Sequence, residues 1–143
     1  MMMQNEYPYR VVLADDYVEF RNCLKRLIRQ YDIQVVGEAG DGLQLIESLK
    51  VLPLAPHMAI IDISMPHLGG FEATSEIRKI YPGMKVLILS MHKEREYVSQ
   101  SVSVGADGYI IKDDLHSELL PAIEEIRKGG VYFPSLEFAP LHS

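Results

Sequence analysis

Short, continuously apolar runs alternate five times with segments of helical period along this 143-residue chain, and that alternation leaves few folds open. The runs are Val11-Val12-Leu13-Ala14, Gln34-Val35-Val36-Gly37-Glu38, Met58-Ala59-Ile60-Ile61, Val86-Leu87-Ile88-Leu89 and Tyr109-Ile110-Ile111. A strand solvated on one face alternates apolar with polar residues. A strand that is apolar throughout is covered on both faces, as in a parallel sheet between helices. Phe20, Leu24, Leu27, Ile28 and Tyr31 recur at helical spacing, with Arg21, Lys25 and Arg29 on another face that reads as solvated. Asp16-Tyr17-Val18-Glu19 fits an N-cap for that helix, and Asp41 caps the next with Gln44 in the capping-box position. A third helix runs from Phe71 to Tyr81 and stops at Pro82-Gly83. Leu115, Leu119, Leu120, Ile123 and Ile126 form the stripe of a last one, closed by Gly129-Gly130. The remaining helix, between Glu96 and Gly105, is weakly encoded: serine alternates with valine there, and both are mediocre helix formers. Topology demands a helix at that place, one that depends on tertiary contacts and is more mobile than the rest.

With right-handed crossovers the expected order is 2-1-3-4-5, a flavodoxin-like, doubly wound three-layer sandwich. The composition suits one cytosolic domain. No run approaches the ~18 apolar residues of a membrane span, and Met1 to Arg10 lacks the apolar core of a signal peptide. Cys23 is alone, so no internal disulfide can form, and its neighbours make it a core or near-core residue. A net charge of -6 argues against a nucleic-acid-binding surface as the main feature.

In open sheets of this type ligands bind beyond the carboxyl ends of the strands. Asp15 and Asp16, Asp62, Ser90 and Lys112 each stand just past an apolar run. Strands one and three are neighbours at the switch point of the order, so the three aspartates converge. Two unit charges ~5 Å apart cost about 3 kcal/mol at an effective dielectric near 20, so such a site must protonate, spread or bind a cation. All-oxygen ligands in a hydrated cleft favour a hard ion, Mg²⁺ or Mn²⁺. Asp62 can then act as a nucleophile toward phosphorus, with Lys112 and the Ser90 hydroxyl stabilising the transferring group.

Leu13-Ala14-Asp15-Asp16, Asp62-Ile63-Ser64-Met65-Pro66 with Gly70, Leu89-Ser90, and Gly108-Tyr109-Ile110-Ile111-Lys112 together resemble the receiver domain of two-component response regulators. The resemblance implies that Asp62 is the phosphoacceptor, and that Asp15, Asp16 and the Ser64 backbone carbonyl join it in holding the metal. It implies that Ser90 is the switch hydroxyl, Lys112 the phosphate-binding lysine and Tyr109 a switch aromatic that turns inward. It further implies that His92 can modulate dephosphorylation. Many receivers carry Pro after the lysine; Asp113 stands there, so no cis peptide is expected. Val36-Gly37-Glu38-Ala39-Gly40-Asp41-Gly42 and Arg127-Lys128-Gly129-Gly130-Val131-Tyr132-Phe133 are similar to the subfamily with a LuxR-type helix-turn-helix output. The expected receiver domain covers residues 1–134, and 135–143 is a tail, a linker remnant or a cloning scar.

Implied partners are a sensor histidine kinase, a second copy after phosphorylation, and DNA through a C-terminal domain that this chain lacks. No membrane partner is expected, and the chain is a phosphoacceptor rather than an enzyme. The alternative is a phosphate-independent interaction module of the same fold, which usually loses one or more of these residues. A dehalogenase-type phosphohydrolase would need an aspartate where Ser64 stands, and a nucleotide module would need a glycine-rich phosphate loop. His57, His67, His116 and His142 show no metal spacing and receive no role.

Overall fold

A computed structural model describes residues 8–29 and 31–134; the tail expected at 135–143 lies outside the described residues. Five strands and five helices alternate: β1 (Tyr9–Ala14), α1 (Val18–Ile28), β2 (Ile33–Ala39), α2 (Gly42–Val51), β3 (Met58–Asp62), α3 (Gly70–Ile80), β4 (Lys85–Ser90), α4 (Arg95–Ser103), β5 (Gly108–Ile111) and α5 (Leu115–Arg127). The strands form one parallel sheet in the order β2-β1-β3-β4-β5, as the alternation requires.

Because successive side chains in a strand point to opposite faces, each apolar run feeds two cores. Val11, Leu13, Met58, Ile60, Leu87 and Leu89 pack against Leu24 and Ile28 of α1 and Leu119, Ile123 and Ile126 of α5, with Cys23 at the margin. Val12, Ala14, Ala59, Ile61, Val86 and Ile88 face Leu45, Leu49, Ile77 and Val98 on the other side.

Register places the functional end. Ala14 is level with Ile61, Asp62 with Leu89, and Ser90 with Ile111. Asp15, Asp62, Ser90 and Lys112 therefore emerge at one height. On the outer strand β2, Val11 pairs with Val35 but Val12 with Gly37, so Val36 is an extra residue, a bulge.

Local caps differ from the sequence reading in three places. Tyr17, not Asp16, is the N-cap residue of α1 and makes no side-chain cap; the Asp15 carboxylate accepts the Tyr17 N–H at 2.9 Å instead. A carboxylate already turned toward its own chain two residues on competes for that role. α1 stops at Ile28, so Tyr31, the last expected member of its stripe, is exposed. Gln44 does reach back, but to the Gly40 N–H at 2.9 Å, one residue beyond the cap, while Asp41 accepts the Gln44 N–H at 2.8 Å. At the end of α5 the expected glycine stop is present: Gly129 at φ 102 lets its N–H reach Ile126 and that of Gly130 reach Glu125.

The weakly encoded α4 is a helix. Only Val98 and Ser101 are buried on it, and Ser101 donates to the Val98 carbonyl at 2.6 Å, internalising its own hydroxyl. A single 3₁₀ turn, Lys112–Asp114, joins β5 to α5. No cis peptide bond occurs among the described residues.

Candidate functional site

At the carboxyl end of the sheet a cleft of about 590 Å³ is lined by Asp15, Asp16, Asp62, Ser64, His92 and Lys112 among others. Asp15 and Asp62 are buried while Asp16 is exposed. One carboxylate oxygen from each of the three lies within 4.8 Å of the others. That spacing and an all-oxygen donor set fit a hard divalent ion, and the exposed Asp16 leaves room for water in its shell. Ser64 follows Asp62 on the loop into α3 and joins the same cleft.

Lys112 closes the cluster from the opposite side. Its Nζ is 2.9 Å from Asp15 Oδ2 and 3.0 Å from Asp62 Oδ1. Burial works against its charge, but the two carboxylates outweigh burial and hold the ammonium above its ordinary range. The Asp62 carboxyl is also raised, which for an acid disfavours the charged form. Burial raises it to about 6, Lys112 opposes the rise, and Asp15 and Asp16 add to it. A carboxylate held this reluctantly is a better nucleophile than an exposed one, and its discomfort is relieved by any added cation.

The site depends on features that sequence reading did not single out. Phe20 places its ring 4.1 Å from Lys112 Nζ, so the ammonium is held between two carboxylates and a π face. In the sequence Phe20 is one more member of the apolar stripe of α1, with nothing beside it that marks the lysine. Arg21 donates to the Asp15 carbonyl and pairs with Glu38 at 2.9 Å, while Lys25 reaches Glu38 at 2.6 Å. The basic face of α1 is therefore tied to β2 rather than merely solvated. Lys25 above all, then Arg21, holds Glu38 below the usual carboxylate range despite partial burial. Gly70, already part of the Asp62 motif in the sequence, is demanded by close approach: a Cβ there would sit on the Asp62 carbonyl oxygen and 2.8 Å from Ile63 Cα.

Ser90 and Tyr109 lie behind the cleft. Ser90 is buried, and its Oγ accepts the His92 N–H at 2.9 Å. Tyr109 already faces inward, 1 % exposed, with its hydroxyl donating to the His92 carbonyl at 2.8 Å. Burial raises its phenol above the ordinary range, against the Ser90 hydroxyl beside it. His92 stacks on Tyr97 at 4.0 Å between centroids and lines the mouth of the cleft.

The family model of the response regulator receiver domain matches residues 11–124. The chain is 39% identical over 136 residues to the transcriptional regulatory protein MctR of Rhizobium johnstonii, covering 92% of this chain and 61% of that one. A crystal structure of a LuxR-family two-component response regulator from Aurantimonas superposes with a TM-score of 0.81 at 32% identity, over 87% of this chain and 89% of that one. The isolated receiver domain of RcsB from Salmonella enterica serovar Typhimurium, solved with phosphomimetic BeF3-, gives 0.81 at 25% identity over 90% and 94%. The chain spans only 54% and 61% of the length of two of its curated relatives.

Proposed function

This chain belongs to the response regulator receiver domain family, with relatives among the LuxR-type regulators, and from that we propose that it is a switch thrown by phosphorylation of Asp62. The donor is the phosphohistidine of a sensor histidine kinase. An Asp62 carboxylate oxygen forms the new O–P bond as the P–N bond to the donor imidazole breaks. The departing ring nitrogen keeps the bonding pair and takes a proton from water. Mg²⁺ or Mn²⁺ held by Asp15, Asp16, Asp62 and the Ser64 carbonyl would supply charge neutralisation at the transferring group. Lys112 turns from its two carboxylates toward the phosphoryl oxygens, and Ser90 donates its hydroxyl to one of them. His92, at the mouth, meets the water that later hydrolyses the acyl phosphate.

The observation that carries this reading is the grouping of three carboxylates in one cleft, two of them paired with the half-buried Lys112. The output is transcription, through a DNA-binding part of a longer protein in which residues 1–134 are the receiver. A phosphorylation-dependent homodimer belongs to the same proposal, as does work in the cytosol. Among the described residues no helix is long and apolar enough to cross a membrane.

Intact mass after incubation with acetyl phosphate and Mg²⁺ tests it. One phosphoryl adduct that vanishes without the metal and in Asp62→Asn is expected. No adduct on folded protein would overturn the proposal and leave a phosphate-independent interaction module.

A further inference from the structure

Beyond α5 the chain doubles back along the outer edge of β5. Tyr132 forms a parallel bridge with Gly108. Its N–H donates to the Asp107 carbonyl at 2.9 Å, and its carbonyl accepts the Tyr109 N–H at 2.9 Å. The Tyr132 phenol donates to Glu118 on α5, and Phe133 packs against the core that contains Tyr109. This is a fitted contact. A Cβ on Gly108 would meet the Tyr132 carbonyl oxygen at 2.9 Å and Ile126 Cδ1 at 2.8 Å.

The same tyrosine is bonded on its inner side. Tyr109 donates its hydroxyl to the His92 carbonyl, and the His92 N–H donates to Ser90 Oγ. Three hydrogen bonds, bridged by the covalent frames of His92 and Tyr109, thus link the Ser90 hydroxyl to the Tyr132 carbonyl. We propose that Tyr132 is a positioning residue for the switch: pairing of segment 131–134 on β5 and the inward setting of Tyr109 are two sides of one equilibrium, so that this segment reads the state of Asp62 and Ser90.

Release of Tyr132 would leave the Tyr109 N–H without its partner and uncover the β5 edge, which gives the segment two discrete arrangements rather than a continuum. Linkage makes the effect reciprocal. Whatever factor beryllofluoride bound at Asp62 adds to pairing of the segment, pairing adds to the affinity for beryllofluoride. The inference rests on the Asp62 reading, so its test monitors the two separately.

The experiment is amide hydrogen exchange at Tyr109 and Tyr132 in the whole chain, with Mg²⁺ alone and with Mg²⁺ plus beryllofluoride, beside the acetyl phosphate mass measurement. Both amides are expected to slow together by roughly three- to tenfold, the effect of about one hydrogen bond. Tyr132→Phe, which loses only the phenol bond to Glu118, should weaken beryllofluoride binding by a similar factor. Glu118→Gln keeps an oxygen acceptor and should fall between that variant and the parent. Val51→Thr, at the exposed end of α2 and away from this segment, should bind beryllofluoride as the parent does. An Asp62 adduct with unchanged or faster exchange at both amides overturns the inference and leaves the Asp62 reading intact, as does unaltered binding by Tyr132→Phe. Failure to form any adduct overturns the Asp62 reading and this inference with it.

Discussion

Asp62→Asn should stabilise the protein, and only where the carboxylate is charged. Burial lifts the Asp62 carboxyl from 3.8 to about 6, a net rise in which the attraction of Lys112 is already included. Between those two values the folded chain keeps a proton that the unfolded chain has released. Stability therefore falls as pH climbs through this window and levels off above it. A displacement of about two pH units corresponds to roughly 3 kcal/mol. Asparagine removes the charge and still offers an oxygen to Lys112. In urea unfolding without divalent metal, the variant should gain up to about 3 kcal/mol over the parent near pH 8, and nothing near about pH 3.5. In thermal melts that is on the order of 6–10 °C for a chain of this size. Adding Mg²⁺ should close most of the gap by stabilising the parent, since only the parent gains a full carboxylate ligand. A difference that ignores pH, or a variant less stable than the parent at pH 8, would refute this account of the site.

Glu38→Gln should show the opposite trend. Its pairs with Arg21 and Lys25 are partly exposed, so their loss should cost about 0.5–1 kcal/mol near neutrality; because Glu38 is held below its ordinary range, that cost should disappear as urea midpoints are followed down through the folded pKa. Phe20→Leu keeps bulk beneath Lys112 but loses the π face, worth about 1 kcal/mol; the rate of phosphorylation at low acetyl phosphate should drop roughly fivefold, and the melting temperature by about 2–4 °C. Gly70→Ala forces a methyl onto the Asp62 carbonyl, which should lower stability by about 1–3 kcal/mol in a thermal melt and slow adduct formation together.

The strands, their order and the height at which Asp15, Asp62, Ser90 and Lys112 emerge were legible because they depend on patterns a few residues long plus one handedness rule. Most of what escaped the sequence was set by partners far along the chain. Nothing near Arg21 and Lys25 announces Glu38, which faces them from the neighbouring strand. Asp16 carries a good capping pattern, yet Asp15 captures the Tyr17 N–H first. The ring of Phe20 fits its apolar stripe, and its further role is set by Lys112, which lies over it from the far end of the chain. The inward setting of Tyr109 depends likewise on the His92 carbonyl and on Tyr132, neither of which its own neighbourhood specifies.

The bulge at Val36 has a consequence for how copies of this molecule can meet. A parallel sheet ends in two rows of unpaired amides and carbonyls, each a template for another chain. Here one row is met by Tyr132 of the same chain, and the other is broken at Val36, where the ladder loses its straight repeat. A foreign strand laid against β2 would pair for two or three residues and then fall out of step. Strand-by-strand extension of the sheet is hindered at both rims, which leaves the helical faces as the smoother surfaces for contact.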